Sequence, residues 1–374
     1  MTTYYNLFTE TTSTIKFKKP FLATLMYHSL TNRKVHMFNL KHLLYFVFAA
    51  SILMSSNLKG QTITLLHQSI VSSSIRGLSV VNDSIAWVSG SNGTVGITTN
   101  GGKTWAWPSV KGFEKADFRD IEAFSDKEAI IISSGTPAVI LKTTDGGVNW
   151  LLTYQNNNKA YFLDAMEFNG NKNGIILGDP IDGKFLILET SDGGRSWNPF
   201  KNPPTALPDE AAFAASGTCL RRNKRTFVMV TGGSNARMIT LEKKFNHYFH
   251  SWNIPILHGK ASQGAFSIAF GHKQAIIVGG DYSDATRADS TSVYIHNVSM
   301  QLSTQQATGY QSCVENIKDN IYLSTGTPGS SLTNDGGKTW QKIDVESYNV
   351  CSKAKQGSLI LLAGDGGKIG IYKP

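Results

Sequence analysis

Arginines are the residues of this sequence best suited to recognise an anion. Arg76 and Arg119 lie in short segments rich in apolar residues, Asp120 directly follows Arg119, and Arg237 lies further along the chain. The planar guanidinium group can donate paired hydrogen bonds to a carboxylate or a phosphate. We therefore predict that Arg76, Arg119, Asp120 and Arg237 contribute to a ligand site. Ordinary ion pairing, of Arg119 with Asp120 or a neighbour, is the alternative.

Acidic residues supply a second possible chemistry. Glu210 lies in a long segment between two apolar runs, and Asp281 with Tyr282 follows a pair of glycines. Two carboxyl groups at a suitable separation can act as general acid and general base on a glycoside. The sequence does not fix that separation. We therefore predict that Glu210 and Asp281 bind ligand, and catalysis is kept open as an alternative.

Motifs for metals and cofactors are missing. The three cysteines, Cys219, Cys313 and Cys351, are spaced unlike any zinc-binding pattern. No G-x-x-x-x-G-K segment occurs, and no G-x-G-x-x-G segment lies between a strand and a helix. We therefore expect buried cysteines, no metal site and no cofactor.

Basic residues are concentrated at the start of the chain. The 374 residues carry a formal net charge of +9, but residues 1–60 hold seven Lys or Arg and one acidic residue, which leaves +3 for residues 61–374. No run of basic residues interleaved with aromatic ones occurs in residues 61–374. We therefore expect no nucleic-acid partner.

The apolar segment Leu43–Met54 is typical of a secretory signal peptide. It is shorter than the ~20 residues that span a bilayer, Lys41 precedes it, and small and polar residues follow it. We predict that translation starts at Met37, that residues 1–60 form a leader, and that residues 61–374 are exported to the periplasm or beyond as one monomeric domain without a membrane span. An uncleaved anchor is the alternative.

A repeat of about 46 residues sets the architecture. An apolar run that ends in glycine occurs seven times, at intervals of 38 to 54 residues. Four of these runs are followed by a turn with two glycines and then a tryptophan. These four segments, called GG hairpins below, are Thr99–Trp105, Thr144–Trp150, Ser191–Trp197 and Asn334–Trp340. Asp or Asn beside two glycines favours a tight turn, and the tryptophan supplies apolar surface between sheets.

The predicted fold is all-β, a seven-bladed β-propeller of four-stranded antiparallel blades. The strands of the second blade are predicted at Phe118–Phe124, Ala129–Ser134, Ala138–Thr143 and Asn149–Tyr154. The last blade has only three predicted strands, and the sequence of Ile63–Gln68 resembles that of an outer strand. We therefore expect this N-terminal strand to close the ring and leave only short, protected edges.

The GG hairpins resemble the Asp-box (BNR) hairpin of sialidases, sortilin-like receptors, xyloglucanases and photosystem II assembly factors. Together with Phe118–Ile121 and Glu210–Thr218, they make the chain most similar to the photosystem II stability/assembly factor family. Two departures stand out. Asn100 replaces the aspartate of the first hairpin, and blades four and five carry Leu241–Trp252 and Ile295–Gln305 in place of a hairpin.

This resemblance covers residues 70–374. It implies a non-enzymatic assembly propeller that binds a protein or peptide segment, and we expect an anionic segment at an arginine-bearing channel mouth. Members of the family often carry an oxidoreductase label, but no cofactor motif supports one here. The alternative is a glycan-active propeller, either a sialidase-like or xyloglucanase-like hydrolase or a lectin. Arg76, Arg119 and Arg237 are the candidates for a sialidase arginine triad, although the typical Phe-Arg-Ile-Pro segment is absent.

Overall fold

The computed structural model describes residues 61–68, 72–224, 226–242, 248–297 and 299–374. This part of the chain consists of β-strands and turns, with a single turn of 3-10 helix at Asp365–Gly367. It contains no helix that is long and apolar enough to cross a membrane. The predicted leader, in residues 1–60, lies outside the described residues.

The strands follow the predicted repeat. From the N-terminus to the end of blade two they are β1 Thr62–Gln68, β2 Ile75–Val80, β3 Ala86–Gly90, β4 Val95–Thr98, β5 Asp117–Ala123, β6 Ala129–Ser134, β7 Ala138–Thr143 and β8 Leu151–Asn156. Through blades three and four they are β9 Leu163–Asn169, β10 Asn173–Ile181, β11 Lys184–Thr190, β12 Asn198–Pro199, β13 Glu210–Ala211, β14 Leu220–Asn223, β15 Thr226–Val230, β16 Gly232–Gly233, β17 Arg237–Glu242 and β18 Tyr248–Asn253. The remaining strands are β19 Lys260–Phe270, β20 Gln274–Asp281, β21 Ser292–His296, β22 Ser299–Leu302, β23 Cys313–Lys318, β24 Ile321–Gly326, β25 Gly329–Thr333, β26 Gln341–Asp344, β27 Val350–Lys353, β28 Ile360–Ala363 and β29 Lys368–Lys373.

These strands form seven antiparallel sheets, one for each blade. The innermost strands are β2, β5, β9, β14, β19, β23 and β27. Each of them contacts the innermost strand of the next blade, and β27 contacts β2, so the blades form a closed ring around a central channel. The fold is therefore the predicted seven-bladed β-propeller.

The N-terminal strand closes the ring as predicted. β1 pairs antiparallel with β29, with Ile63 opposite Tyr372 and Thr64 opposite Ile371. The last blade therefore has the sheet order β27-β28-β29-β1, in which the two ends of the propeller are joined by backbone hydrogen bonds.

The GG hairpins account for the one clear shift in strand limits. In blade two the second and third strands match their predicted limits, but the outer strand begins at Leu151 instead of Asn149. The Asn149 N–H donates to Asp145 Oδ1 at 2.9 Å, and the Gly147 N–H donates to Thr143 Oγ1 at 3.0 Å. Asn149 is therefore part of the turn, because its backbone is bonded to the hairpin carboxylate.

The same bonds form where asparagine replaces aspartate. Asn100 Oδ1 accepts from the Thr104 N–H at 3.0 Å, and the Gly102 N–H donates to Thr98 Oγ1 at 3.0 Å. An amide oxygen can accept these hydrogen bonds as a carboxylate does. The replacement therefore leaves the first hairpin intact.

Each GG hairpin packs against the preceding blade. A Cβ built at Gly147 would lie 3.4 Å from Trp87 on β3, and one at Gly337 would lie 2.7 Å from Ile276 on β20. In the other two hairpins, a Cβ built at the second glycine would likewise approach Leu361 on β28 and Ile130 on β6. The hairpins therefore fill the outer clefts between blades, and a Cβ at the second glycine would come closer than 3.0 Å to a neighbouring atom in two of the four.

Candidate functional site

Four innermost strands carry a β-bulge at the same end of the channel. In β2 the residues on either side of Arg76 pair with consecutive residues of β3, so that Arg76 is the extra residue. The extra residues of β5, β9 and β19 are Arg119, Asp164 and Phe266. A bulge changes the direction of its side chain. These four bulges therefore mark one mouth of the channel, which is the candidate site.

The two arginines of this mouth are held by backbone carbonyls. Arg76 Nη1 donates to the Ala215 carbonyl at 3.4 Å, and Arg119 Nη1 donates to the Ala214 carbonyl at 3.2 Å. Arg119 Nε also donates to Asp117 Oδ2 at 2.7 Å, so its ion pair is with Asp117 and not with Asp120. Burial and the neighbouring Arg119 lower the pKa of Arg76. The two cations are therefore close enough to affect each other.

Residues 205–219, called the channel loop below, cross this mouth between blades three and four. The channel loop contacts blades one and two through Arg76 and Arg119. It also contacts blade three, where the Ala212 N–H donates to Asp179 Oδ1 at 3.2 Å. Ser216 Oγ donates to the Ser312 carbonyl at 2.7 Å, beside blade six. The channel loop is therefore fixed to several blades, and it determines where the guanidinium groups lie.

Glu210 and Arg237 anchor the base of this loop. Glu210 accepts from Arg237 Nε at 2.8 Å and from Arg237 Nη2 at 2.6 Å, which is a bidentate pair. Thr231 Oγ1 and the Leu207 N–H also donate to Glu210. The Glu210 side chain is fully buried. Both predicted site residues thus bind each other, Glu210 on β13 and Arg237 on β17, and their predicted role in ligand binding stays a prediction.

Carboxyl groups lie buried beneath the channel loop. Asp120 accepts from the Ile121 N–H at 2.8 Å and from the Met166 N–H at 2.7 Å, and a side chain at Gly217 would collide with its carboxylate. Burial raises the pKa of Asp120 to about 8, although these two N–H groups oppose the shift. Asp120 therefore supports the loop from below, while its predicted role as a ligand-binding residue stays a prediction.

Asp164, the extra residue of the β9 bulge, is also buried. Burial and the nearby Asp179 raise the pKa of Asp164 well above its usual range, while Arg119 and the Ala214 N–H act against the shift. Burial raises the pKa of Asp179 to about 6. The interior of the mouth therefore favours neutral carboxylic acids, whereas its rim carries the two arginines.

Aromatic rings continue the mouth beyond the arginines. Phe213 of the channel loop stacks on Phe266, with ring centroids 3.9 Å apart, and Phe266 meets Tyr310 edge to face at 4.8 Å. Tyr282 packs edge to face against the same two rings and is 54% exposed. The arginines therefore border an apolar surface of the type that peptide side chains bind.

Asp281 lies beside these rings at the end of β20. It accepts from Gln263 Nε2 at 2.9 Å and from the Ser283 N–H and hydroxyl. Although burial opposes the shift, these hydrogen bonds hold the pKa of Asp281 below its usual range. Two strands, β16 and β19, separate Glu210 from Asp281, so the structure does not bring this predicted pair together. A role of Asp281 in binding stays a prediction.

Sequence reasoning singled out Arg76, Arg119 and Tyr282 but did not assign Asp117, Asp164 or Tyr310 to the site. Phe213 lies in Glu210–Thr218, a segment on which the family resemblance partly rests, and this was the available signal. The bulges that bring these side chains together are backbone features without a residue signature.

The buried carboxyl groups predict how stability depends on pH. Asp120 and Asp179 have pKa values of about 8 and 6, above the ~4 of an unfolded chain. Between the unfolded and the folded pKa values of these groups, the folded protein therefore binds more protons than the unfolded chain. The free energy of unfolding should consequently fall as pH rises from about 5 to about 8. Hydrogen bonds from Ser196 hold the pKa of Asp192 at about 2, so that group acts only at more acidic pH.

Urea denaturation at about pH 5 and at about pH 8 measures this difference. The midpoint should be lower at pH 8, and Asp120→Asn should reduce the difference between the two midpoints. Equal midpoints, or a higher midpoint at pH 8, would contradict these pKa directions.

The bulged inner strands, the loop across the channel and the ring of blades define a β-propeller with one structured mouth. Residues 61–159 match the family model described as "Photosynthesis system II assembly factor YCF48". Residues 61–159 are thus similar to the photosystem II assembly factor family, which the hairpins and inner segments indicated, and the described residues between 61 and 374 form a β-propeller. A search of curated protein sequences finds no match.

Solved structures share this fold at low sequence identity. "YCF48 bound to D1 peptide" is 17% identical, with a TM-score of 0.62 over 85% of this chain and 98% of that one. "YCF48 from Cyanidioschyzon merolae" is 18% identical, with a TM-score of 0.52 over 83% and 98% of the two chains. A streptogramin B lyase matches with a TM-score of 0.62 at 12% identity, over 85% of this chain and 99% of that one. Proteins of different activity thus share the architecture, and function has to be argued from the site.

Proposed function

We propose that this protein is an exported, non-enzymatic assembly propeller that binds an anionic segment of a partner protein at the mouth defined above. The observation that carries this proposal is the pair of bulges that place Arg76 and Arg119 on adjacent blades under one loop. The signal peptide predicted in residues 1–60 supports export.

The charge balance of the mouth favours an anionic ligand. Two guanidinium groups in contact with one loop repel each other. Asp117 pairs with Arg119. The attraction of Arg76 to Asp365 and Asp117 still leaves the pKa of Arg76 lowered. An anion between the two arginines would relieve this repulsion and accept charge-assisted hydrogen bonds from both. The carbonyls of Ala214 and Ala215 hold both side chains in place, so little side-chain freedom is lost on binding.

The aromatic surface favours a peptide over a small inorganic anion. Tyr282 is exposed beside Phe266 and Tyr310, and exposed aromatic rings next to arginine are typical of protein interfaces. A peptide with an acidic residue beside an apolar one would engage both parts of the mouth. The similar structure of "YCF48 bound to D1 peptide" supports a peptide ligand for a propeller of this type.

Replacement of both arginines tests the proposal. Short synthetic peptides with an acidic residue next to an aromatic one, labelled with a fluorophore, serve as probes in anisotropy titrations. Each of Arg76→Ala and Arg119→Ala should weaken binding about ten- to a hundredfold, the usual effect of losing a charge-assisted hydrogen bond. The double variant should show no measurable binding, with a melting temperature close to that of the wild type.

The matched control is Arg195→Ala, since Arg195 is an exposed arginine of a GG hairpin. It should bind the peptides as the wild type does. Wild-type binding by the double arginine variant would refute the proposed site. Hydrolysis of a sialoside or a β-glucan that is lost in Glu210→Gln or Asp281→Asn would instead establish the glycan-active alternative.

A further inference from the structure

An apolar groove runs between blades four and five, outside the channel. Its volume is about 820 Å³. Met238 and Trp252 line it from blade four, and Phe270, Ile295 and Met300 line it from blade five. Trp252 is 44% exposed although it is a large aromatic side chain. Exposed apolar surface of this kind commonly marks a binding site.

The groove exists because blade five lacks a GG hairpin. In the four blades that have one, the hairpin packs against the second strand of the preceding blade. In blade five, β21 instead ends at His296 and β22 begins at Ser299, and these two residues pair with each other. Val228, on the second strand of blade four, therefore lines an open groove. The departure from the repeat thus creates a surface that the four clefts filled by a GG hairpin do not offer.

The rim of the groove is basic. Lys224, His272 and Lys273 line it, and no acidic residue does so in the part of the chain that the structure describes. Lys338 and His296 line the adjoining hollow together with Asp335. The Asp335 carboxylate is occupied by hydrogen bonds within its own hairpin. The groove therefore combines an apolar floor with a positive rim.

We propose that this groove binds an acidic segment of a partner protein that inserts an apolar side chain against Trp252. Tryptophan is enriched among the residues that dominate binding energy, and methionines such as Met238 and Met300 adapt to different apolar ligands. The basic rim complements acidic residues that flank the inserted side chain. Residues 61–374 carry a net positive charge, which disfavours a second copy of the chain as the occupant.

The groove and the channel mouth lie at opposite ends of the inner strands. Phe270 ends β19, whereas the bulge at Phe266 lies closer to the mouth, and Asn223 at the groove ends β14. The two sites therefore do not overlap. One propeller can hold two segments at once, and this groove adds a second docking site to the one proposed at the mouth.

A library of short random peptides, displayed on beads and selected against the full propeller, tests the groove. Selection on the double Arg76→Ala, Arg119→Ala variant removes peptides that bind the mouth. The enriched sequences should place an apolar residue between acidic ones. Trp252→Ala should weaken their binding about thirtyfold, as expected for an interface hot spot. Lys273→Glu should also weaken it, more strongly at low salt.

Matched controls separate the groove from general effects. Leu151→Ala removes an exposed apolar side chain from the outer strand of blade two, and Lys103→Glu reverses an exposed charge in another hairpin. Both should leave peptide binding unchanged, and circular dichroism should show the same fold in all variants. Absence of such enriched peptides, or equal binding to Trp252→Ala, would overturn the proposal. A concentration-dependent dimer that Trp252→Ala abolishes would show that a second copy occupies the groove, which would also overturn it.

Discussion

A protein that lacks Thr62–Gln68 should aggregate instead of folding into a stable propeller. β1 forms six residue pairs with β29, and its removal would expose the backbone groups of β29 along that edge. Ile63 and Leu66 also pack against a cluster of buried side chains from blades six, seven and one. An exposed strand edge pairs readily with other chains, so the expected product is an oligomer or a precipitate.

Size-exclusion chromatography and thermal melting measure this outcome. The matched control is Thr64→Ala, because Thr64 is exposed and its backbone pairing with Ile371 is independent of its side chain. This variant should elute at the same volume as the wild type and melt close to it. A synthetic peptide of residues 61–68, added during refolding, should partly rescue the deletion variant. A deletion variant that is monomeric and melts like the wild type would contradict closure by β1.

The architecture could be predicted from the sequence because each blade repeats the same local signals. The apolar runs that end in glycine are the second strands of the seven blades, from β3 to β28. The turn residues of the hairpins mark where the third strand ends, whereas strand limits were predicted less accurately, as at Asn149. That shift arises because Asn149 is bonded to the Asp145 carboxylate, which strand propensity does not register.

The site could be predicted only in part. The repeat places Arg76 and Arg119 at corresponding positions of adjacent blades, so their proximity follows from the fold. The position of Asp164 at the same mouth depends on a bulge, and bulges follow from strand register instead of residue type. Glu210 looked available for ligand chemistry in the sequence. Its burial against Arg237 depends on the path of the channel loop, which no local pattern specifies.

The departures from the repeat are as informative as the repeat itself. The absence of a GG hairpin from blade five weakened any transfer of function from the family resemblance. In the structure the same absence explains why Trp252 and Met300 are accessible. A hairpin would cover this cleft as it does beside Trp87. Loss of a structural element can therefore create a binding surface without any new motif.

Replacement of Trp340 by alanine should lower the free energy of unfolding by about 3–5 kcal/mol, the range for removing a buried tryptophan. Trp340 is only 2% exposed and packs in a cluster with Ile276 and Tyr322, between blades five and six. Its indole N–H has no hydrogen-bond partner among the described residues, so its stabilising effect comes from apolar packing. Trp340→Phe, which keeps an apolar ring, should therefore have a smaller effect than the alanine variant.

Urea denaturation of the two variants measures these differences, and Trp252→Ala supplies the control. Trp252 is the same residue type but lies exposed in the groove, so its replacement should cost less than about 1 kcal/mol. A large loss of stability in Trp252→Ala would mean that this side chain supports the fold, and its accessibility would then not indicate binding. A loss below about 1 kcal/mol in Trp340→Ala would mean that the hairpin tryptophans do not hold adjacent blades together. The two substitutions thus separate tryptophans that stabilise the ring from the one proposed to bind a partner.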